Sequence, residues 1–349
     1  MRLKSMLSVY AGILTVALGA TCANVAGAQD LQKFSMAVAA DSPQYTLAYV
    51  AADKGFFTKH GLEIENVTFD SGTNQSNAVI SGNAEFGQIG LTHVIAAQSM
   101  GGDLVGVTRL FDVLDLYVFL SNEAIEKTGI TPDMSVDEKI ERMKGLRIGI
   151  TGPGSTVDRG IRSLFKARGI DPDQDAHLQP LGTPAAMMAA LRKGLTDGFG
   201  YPAPYPTIAE AQGLGKVVID PFSDKIAEVQ GVPYNVIVSS SATVKKKPEL
   251  VAKVVRAFAD AAEYVKTHPE ETKQIAMNHL SKIDPELLKP LMDSYIKGVP
   301  TGPVITREQF DTTLKWMNLT ADPKLDLSYE QVVVAGPAEQ AAKELEAAK

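Results

Sequence analysis

The sequence predicts an α/β protein of two lobes, each a mostly parallel sheet flanked by helices. Three observations predict it. From Phe34 to Ser99, apolar runs of strand length alternate with stretches of helical period, joined by short connections, the pattern of parallel strands with helical crossovers. The pattern breaks at Glu123 to Gly145, which is polar and charged, and restarts with the apolar run Leu146 to Ile150. Finally, Gly82-Asn83-Ala84-Glu85-Phe86-Gly87 is echoed by Gly194-Leu195-Thr196-Asp197-Gly198-Phe199. Each reads as a glycine that stops a helix, two residues, an acid and a short strand, so the two lobes share one plan.

Taken in order, Lys33 to Ala39 alternates Phe34, Met36 and Val38 as a first strand. After the loop Asp41 to Gln44, a helix from Tyr45 carries Leu47, Val50, Ala51 and Phe57 toward the core and stops at Gly61. Leu62 to Phe69 is β-like, Ser71 opens a helix, Phe86 to Gly90 is a short strand and Thr92 to Ser99 a helix. Leu104 to Leu110 and Leu114 to Ser121 are apolar and extended. Ser135-Val136-Asp137-Glu138 is a capping box.

The second lobe repeats the alternation. Leu146 to Ile150 and Ala176 to Leu181 read as strands and Thr156 to Ala167 and Pro184 to Arg192 as helices; a short strand Gly198 to Tyr201, a helix from Ala203 and a strand Lys216 to Ile219 follow. Tyr234 to Ser239 is extended. Beyond Pro248 the chain is helical, with Val251, Val254, Val255, Phe258, Ala262 and Val265 on one stripe. Thr267-His268-Pro269-Glu270 reads as a further capping box, and Asp284-Pro285 and Thr306 to Gln309 as helix starts. Ala338 to Lys349 is expected to be a loose helix or tail.

The N-terminus reads as a secretory signal. Arg2 and Lys4 precede an apolar stretch from Met6 to Ala20, and Ala26-Gly27-Ala28 supplies an A-x-A exit with Gln29 as the new terminus. That stretch is short for a membrane span, which needs about 20 apolar residues. Cys22 offers a lipid-anchored alternative, although Thr21 fits a lipoprotein signal poorly. Cys22 is the single cysteine, so cleavage after Ala28 leaves none for a disulfide, a thiolate metal site or a nucleophile. Losing Arg2 and Lys4 from 34 basic residues leaves 32 against 41 acidic ones, a net charge of −9, which argues against a nucleic-acid partner. A pocket on such a protein can still be locally positive.

The residues with chemical potential lie in loops that open helices. Thr151-Gly152-Pro153-Gly154-Ser155-Thr156 joins a strand to a helix, where glycines admit a ligand to the backbone and free N–H groups favour an anion. It lacks the Gly-Lys-Ser/Thr of a nucleotide loop and the three-glycine dinucleotide spacing. Taken alone it reads first as capping, with Ser155 as cap and Asp158 three residues on. Ser71-Gly72-Thr73-Asn74, Gly90-Leu91-Thr92-His93 and Gly182-Thr183-Pro184 are similar connections. Four such helix starts, two per lobe, converge beyond the carboxyl ends of strands, where open α/β sheets hold ligands. Tyr45 and Tyr201, the latter in Tyr201-Pro202-Ala203-Pro204-Tyr205, can stack on a ligand or simply pack. The five histidines (His60, His93, His177, His268, His279) form no metal-binding pair, and no G-x-S-x-G elbow is present. His60 and His268 read as surface residues, while His93 is a core or cleft histidine.

Tyr45-Thr46-Leu47-Ala48-Tyr49-Val50-Ala51-Ala52-Asp53-Lys54-Gly55-Phe56-Phe57, followed by Gly61-Leu62-Glu63-Ile64, resembles the opening of the SsuA-like family of ABC-transporter substrate-binding proteins, which take up nitrate, sulfonates, taurine and thiamine-precursor pyrimidines. The two glycine–acid turns match the family as well, and the resemblance runs from about Phe34 to Asn318. It implies a type II periplasmic-binding-protein fold. Residues 1–28 would be the signal peptide, 29–118 and 236–337 one lobe, 119–235 the other, and 338–349 the tail. Two crossover strands, near Leu114 to Ser121 and Tyr234 to Ser239, would be the hinge.

It also implies the site and the partners. The ligand loops of the family map onto Asp41, Gln44 and Tyr45, onto Ser71, Gly72, Thr73 and Asn74, and onto Thr92 and His93. In the second lobe they map onto Gly154, Ser155, Thr156, Thr183 and Tyr201. The protein would be a periplasmic monomer that closes on a small molecule and docks on an inner-membrane ABC permease with its ATPase. No catalysis, cofactor or metal is expected. Helix starts with hydroxyls suit an oxyanion, so an organic sulfonate or carboxylate is expected, with Arg109 and Arg159 as candidate cleft arginines. Asp41 opposes an anion, and a thiamine-precursor pyrimidine is the alternative. The fungal pyrimidine-precursor synthases, enzymes of the same fold, rely on a histidine and a cysteine-rich segment that the mature chain lacks. A transferrin-like metal site built from Tyr201, Tyr205 and His93 has no supporting spacing.

Overall fold

The computed structural model describes residues 30–39, 42–69 and 71–347. The signal segment, Asp41 and the last two residues lie outside them. The expected alternation is present, and among the described residues ten strands form two sheets of five. Strands β1 (Gln32–Ala39), β2 (Leu62–Phe69), β3 (Phe86–Ile89) and β4 (Val105–Phe111) belong to the first sheet. Strands β5 (Tyr117–Ser121), β6 (Arg147–Ile150), β7 (His177–Pro180), β8 (Gly198–Tyr201) and β9 (Gly215–Ile219) form the second, and β10 (Asn235–Ser239) returns to the first. The orders are β2-β1-β3-β10-β4 and β7-β6-β8-β5-β9.

Both sheets follow one plan with one exchange. β1 pairs in parallel with β2 and β3, and β6 with β7 and β8. The fourth strand is antiparallel to both neighbours: β10 between β3 and β4, β5 between β8 and β9. The chain therefore crosses after β4 to place β5 in the second sheet and crosses back after β9 to place β10 in the first. Each sheet is mixed, with four strands running one way and the crossing strand against them.

The echoed turns perform the same task in both lobes. Glu85 N–H donates to the Ser35 carbonyl at 3.2 Å, and its carboxylate accepts from Ser35 N–H at 3.1 Å. Asp197 N–H donates to the Arg147 carbonyl, and its carboxylate accepts from Arg147 N–H, both at 2.8 Å. Each acid supplies a side-chain acceptor where the third strand joins the first, which keeps a buried backbone donor satisfied.

Phe34, Phe57, Phe86 and Phe258 interlock under the first sheet at ring separations of 5.5–5.7 Å. Phe119 stacks on Phe199 under the second at 5.1 Å. The Arg307–Met317 helix spans the two lobes: it packs on both the Leu91–Ser99 and Thr156–Lys166 helices, and Trp316 Nε1 donates to Ser163 Oγ at 2.6 Å. Among the described residues no helix is long and apolar enough to cross a membrane.

Most expected helix starts form as read. Ser135 and Thr306 make full capping boxes with Glu138 and Gln309, and Asp284 caps Pro285–Gly298. Two expectations are corrected. Thr267 is the last residue of Pro248–Thr267, its hydroxyl bonding back to the Glu263 and Tyr264 carbonyls, so the next helix starts at His268 with no side-chain cap. The C-terminal segment, expected as a loose helix or tail, is a helix, Gly336–Ala347, but a docked one: it buries Ala338 and Ala341 and ties Glu344 to Arg256. Alanines allow its close approach.

Candidate functional site

Two clusters stand where the lobes meet. The first is built from helix starts. Ser71 caps Gly72–Ile80 by accepting the Asn74 N–H at 3.2 Å. Gly72 lies against the His93 ring so closely that a Cβ there would be 2.6 Å from Nε2. Leu91–Ser99 begins at Gly90 with no side-chain cap, which leaves first-turn N–H groups without a side-chain acceptor. The Nδ1 of His93 is buried with no hydrogen-bond partner. Burial and the nearby Arg159 charge push the imidazole down to about 4, so the ring is neutral at pH 7.

Arg159 enters from the second lobe, on the first turns of Thr156–Lys166. It is half-buried, and its guanidinium is 4.0 Å from where a Gly154 Cβ would sit. Among the described residues no carboxylate lies within salt-bridge distance of it, while burial lowers its pKa. Gly154 has φ +73°, a conformation that only glycine adopts without strain. Its N–H donates to Asp158 Oδ2 at 2.7 Å, and Ser155 Oγ accepts from Asp158 N–H and the Thr151 hydroxyl. The Gly154–Thr156 loop therefore caps its helix, and its gift to the cleft is the arginine one turn on. The other candidate, Arg109, is committed to Asp112 at 2.7 Å and the Gly302 carbonyl at 2.9 Å.

Beside these residues a cavity of about 520 Å³ opens between the lobes, lined by Gly154 and Arg159 on one side and by Ala96, Ser99 and Met100 on the other. That volume is within the usual range for small-molecule sites.

The second cluster surrounds Asp115, on the connection from β4 to β5. It is 1% exposed. Its carboxylate accepts from Gln44 Nε2 at 3.0 Å, from the Tyr295 hydroxyl and from Ala203 N–H at 3.4 Å. Gln44 Nε2 also reaches the Tyr234 hydroxyl at 3.2 Å, and Gln88 Nε2 holds the Gln44 carbonyl at 2.8 Å. Donors thus come from both sheets' loops and from Pro285–Gly298. Burial raises Asp115 to about 6 despite these bonds. It also raises the Tyr117, Tyr234 and Tyr295 phenols, with the Asp115 charge adding to each, and pushes Tyr201 up to about 12.

The structure thus brings Gly72, His93 and Gly154 together around Arg159, and Gln44 and Tyr201 toward Tyr234. Tyr45 is 4% exposed, its hydroxyl 3.4 Å from the Gln88 carbonyl and from the Gln75 side chain, inside the first lobe. Thr92 is 4% exposed beside Gly90. Ser71, Thr73 and Asn74 are exposed, as is Thr183, whose hydroxyl caps Pro184–Arg192. Asp41 lies outside the described residues. Sequence reasoning missed Asp115, Tyr234 and Tyr295. Asp115 did leave a signal, an acid inside the apolar run Val113 to Leu120. Among the described residues no group of His, Cys, Asp and Glu could hold a metal ion, and Tyr201 meets Tyr205 edge to face at 5.4 Å rather than His93.

Known proteins resemble this chain over about half to nine-tenths of its length. The putative binding protein YtlA of Bacillus subtilis is 21% identical, covering 90% of this chain and 92% of its own. The nitrate/nitrite binding protein NrtA of a Nostoc species is 27% identical over 48% of this chain, which spans only 40% of NrtA. The 4-amino-5-hydroxymethyl-2-methylpyrimidine phosphate synthase of Candida albicans is 25% identical over 66% of each chain. A solved structure of a putative sulfonate ABC transporter protein, the periplasmic sulfonate-binding SsuA of Methylobacillus flagellatus, superposes with TM-score 0.69 at 17% identity, covering 91% of this chain and 96% of its own. The fold is that of periplasmic binding proteins, two α/β lobes joined by crossing strands. A family model described as NMT1-like matches residues 28–281, nearly three-quarters of the chain. On that match the chain belongs to the NMT1-like family.

Proposed function

We propose that the protein is the extracytoplasmic solute-binding component of an ABC importer, which captures a small organic anion, a sulfonate or carboxylate, by closing its lobes. The observation that carries this reading is Arg159: a half-buried guanidinium with, among the described residues, no carboxylate within salt-bridge distance, facing the other lobe's His93 and uncapped helix start. A partly desolvated cation is costly unless an anion joins it, and helix N-termini add donors for the same charge. His93, neutral at pH 7, can donate or accept one hydrogen bond there. The sulfonate- and nitrate-binding relatives support the anion and the importer, with a permease and its ATPase as partners. The N-terminal signal supports export to the periplasm.

The alternative ligand is a pyrimidine, for which Tyr201 and Tyr234 offer ring faces. Synthesis of such a pyrimidine, as in the Candida relative, is disfavoured: the fungal enzymes' cysteine-rich segment has no counterpart in a chain whose single cysteine is Cys22. Lobe boundaries near 118 and 235 fit the two chain crossings.

The test is a thermal-shift panel of alkyl and aryl sulfonates, carboxylates, nitrate and pyrimidines, because a ligand of the native state raises Tm by mass action. An anion should raise Tm in the wild type and fail to do so in Arg159→Gln. A shift with pyrimidines alone, or anion shifts that survive Arg159→Gln, would defeat the reading.

A further inference from the structure

The cavity does not end at Arg159. Its wall continues along Thr156–Lys166, which presents Arg159, Arg162 and Lys166 to it, residues three and seven apart that share a helix face. Arg162 is neutralised by Asp158 and Asp173, at 2.7 and 2.6 Å. Among the described residues, Arg159 and Lys166 have no carboxylate within salt-bridge distance. They lie seven residues apart, about 10 Å along the helix axis. Facing them are Met100, Met317 and Leu325, and Met100 is 80% exposed, unusual for so large an apolar side chain.

From this arrangement we infer that the crevice selects an elongated dianion: two acidic groups about 10 Å apart joined by an apolar chain or ring, one at Arg159 and the other at Lys166. The inference rests on the reading of Arg159 as the anion anchor and adds the second charge and the spacing. Arg162, between the two cations, is covered by Asp158 and Asp173, and the three together carry a formal charge of −1, which repels an anionic group at mid-length and tolerates an apolar one. Met100 supplies adaptable apolar surface for that middle.

The test is calorimetric titration of the full mature chain with sebacate and with monomethyl sebacate, which has the same length and one charge fewer, alongside methanesulfonate. Sebacate should bind roughly three- to fivefold more tightly than its monoester, the gain from one largely exposed ion pair. Lys166→Gln should bring that ratio to one, since Lys166 is exposed and its loss leaves Arg159 in place. Arg159→Gln should weaken all three. A ratio near one in the wild type, or a ratio that survives Lys166→Gln, overturns the inference. If methanesulfonate and the monoester still bind through Arg159 in that case, the anion-binding reading stands alone. If no anion binds the wild type, both fail.

Discussion

Asp115 gives the most quantitative prediction, because its perturbation can be isolated by pH. In the folded protein its pKa is raised from 3.8 to about 6, so the folded state holds a proton that the unfolded chain has released. A group raised in this way adds stability that is complete below pH 3.8 and is lost as pH rises through 6. The gap, at about 1.4 kcal/mol per pH unit, is about 3 kcal/mol. The groups facing it are Gln44, Ala203 N–H and Tyr295, with Tyr117, Tyr234 and Asp220 close enough to interact electrostatically. The phenols do not titrate in this window. His93 works in the opposite sense: its folded pKa is lowered from 6.5 to about 4, so its contribution is complete above pH 6.5 and is lost as pH falls, again by about 3 kcal/mol. The two nearly cancel in the wild type. Asp115→Asn removes one of them, so urea unfolding at pH 4, 5, 6 and 7 should show the wild type gaining about 2.5 kcal/mol on the variant from pH 7 to pH 4. At a slope of about 3 kcal/mol per molar urea, that is about 1 M in midpoint. His93→Gln should tilt the comparison the other way. A stability difference between the wild type and Asp115→Asn that stays flat to within about 0.5 kcal/mol across this range would show that Asp115 does not hold the perturbed proton.

Three further outcomes are expected. Gly72→Ala drives a Cβ to within 2.6 Å of His93 Nε2 and should cost about 1–3 kcal/mol by overpacking, measured by urea unfolding, with a matching loss of anion-induced thermal shift. Trp316→Phe removes the Nε1–H bond to Ser163 that spans the lobes and opens space at a fully enclosed site; a loss of about 2–3 kcal/mol is expected in the same assay. Glu85→Gln and Asp197→Asn keep an acceptor oxygen but remove the charge; Glu85 holds Lys247 through one bond, whereas Asp197 holds the Arg147 guanidinium through two, so the Asp197 substitution should be the more damaging, by about 1 kcal/mol.

How far the sequence reveals this molecule depends on the range of each interaction. The Ser135 capping box and the helix start at Thr306 are settled within four residues and form as read. The echo of Glu85 and Asp197 was legible because both lobes solve one local problem, an acceptor for a first-strand N–H. Thr267 shows the limit: a capping pattern lost to a longer helix, because the apolar stripe of Pro248–Thr267 continues through Val265 and the last turn closes on Thr267 itself. Ser155 shows another, since a cap and an anion cradle use the same residues, and only Asp158's bond to Gly154 N–H distinguishes them. The Asp115 cluster was beyond reach for a different reason. Its donors stand at positions 44, 203 and 295, brought together only when the chain crosses between sheets, and no local pattern records that crossing.

The exchange of β5 and β10 explains why the two clusters lie side by side. Asp115 is carried by the first crossing and Tyr234 ends the second, so the hinge of the proposed motion and the floor of the proposed site are one piece of structure. In the proposed motion, opening the lobes would strain the Gln44 and Ala203 bonds to Asp115, because these donors belong to loops of different sheets. That resists opening whether or not a ligand is bound. In the proposed function Arg159 would act the other way: closing the lobes would half-bury a cation that, among the described residues, has no carboxylate within salt-bridge distance, which would disfavour closure until an anion arrives. A ligand shifts such an equilibrium only by its differential affinity for the two states, and the anion's bond to Arg159 is formed fully only in the closed one. On this reading Asp115 keeps the open and closed forms close in energy, and the charge on the solute decides between them.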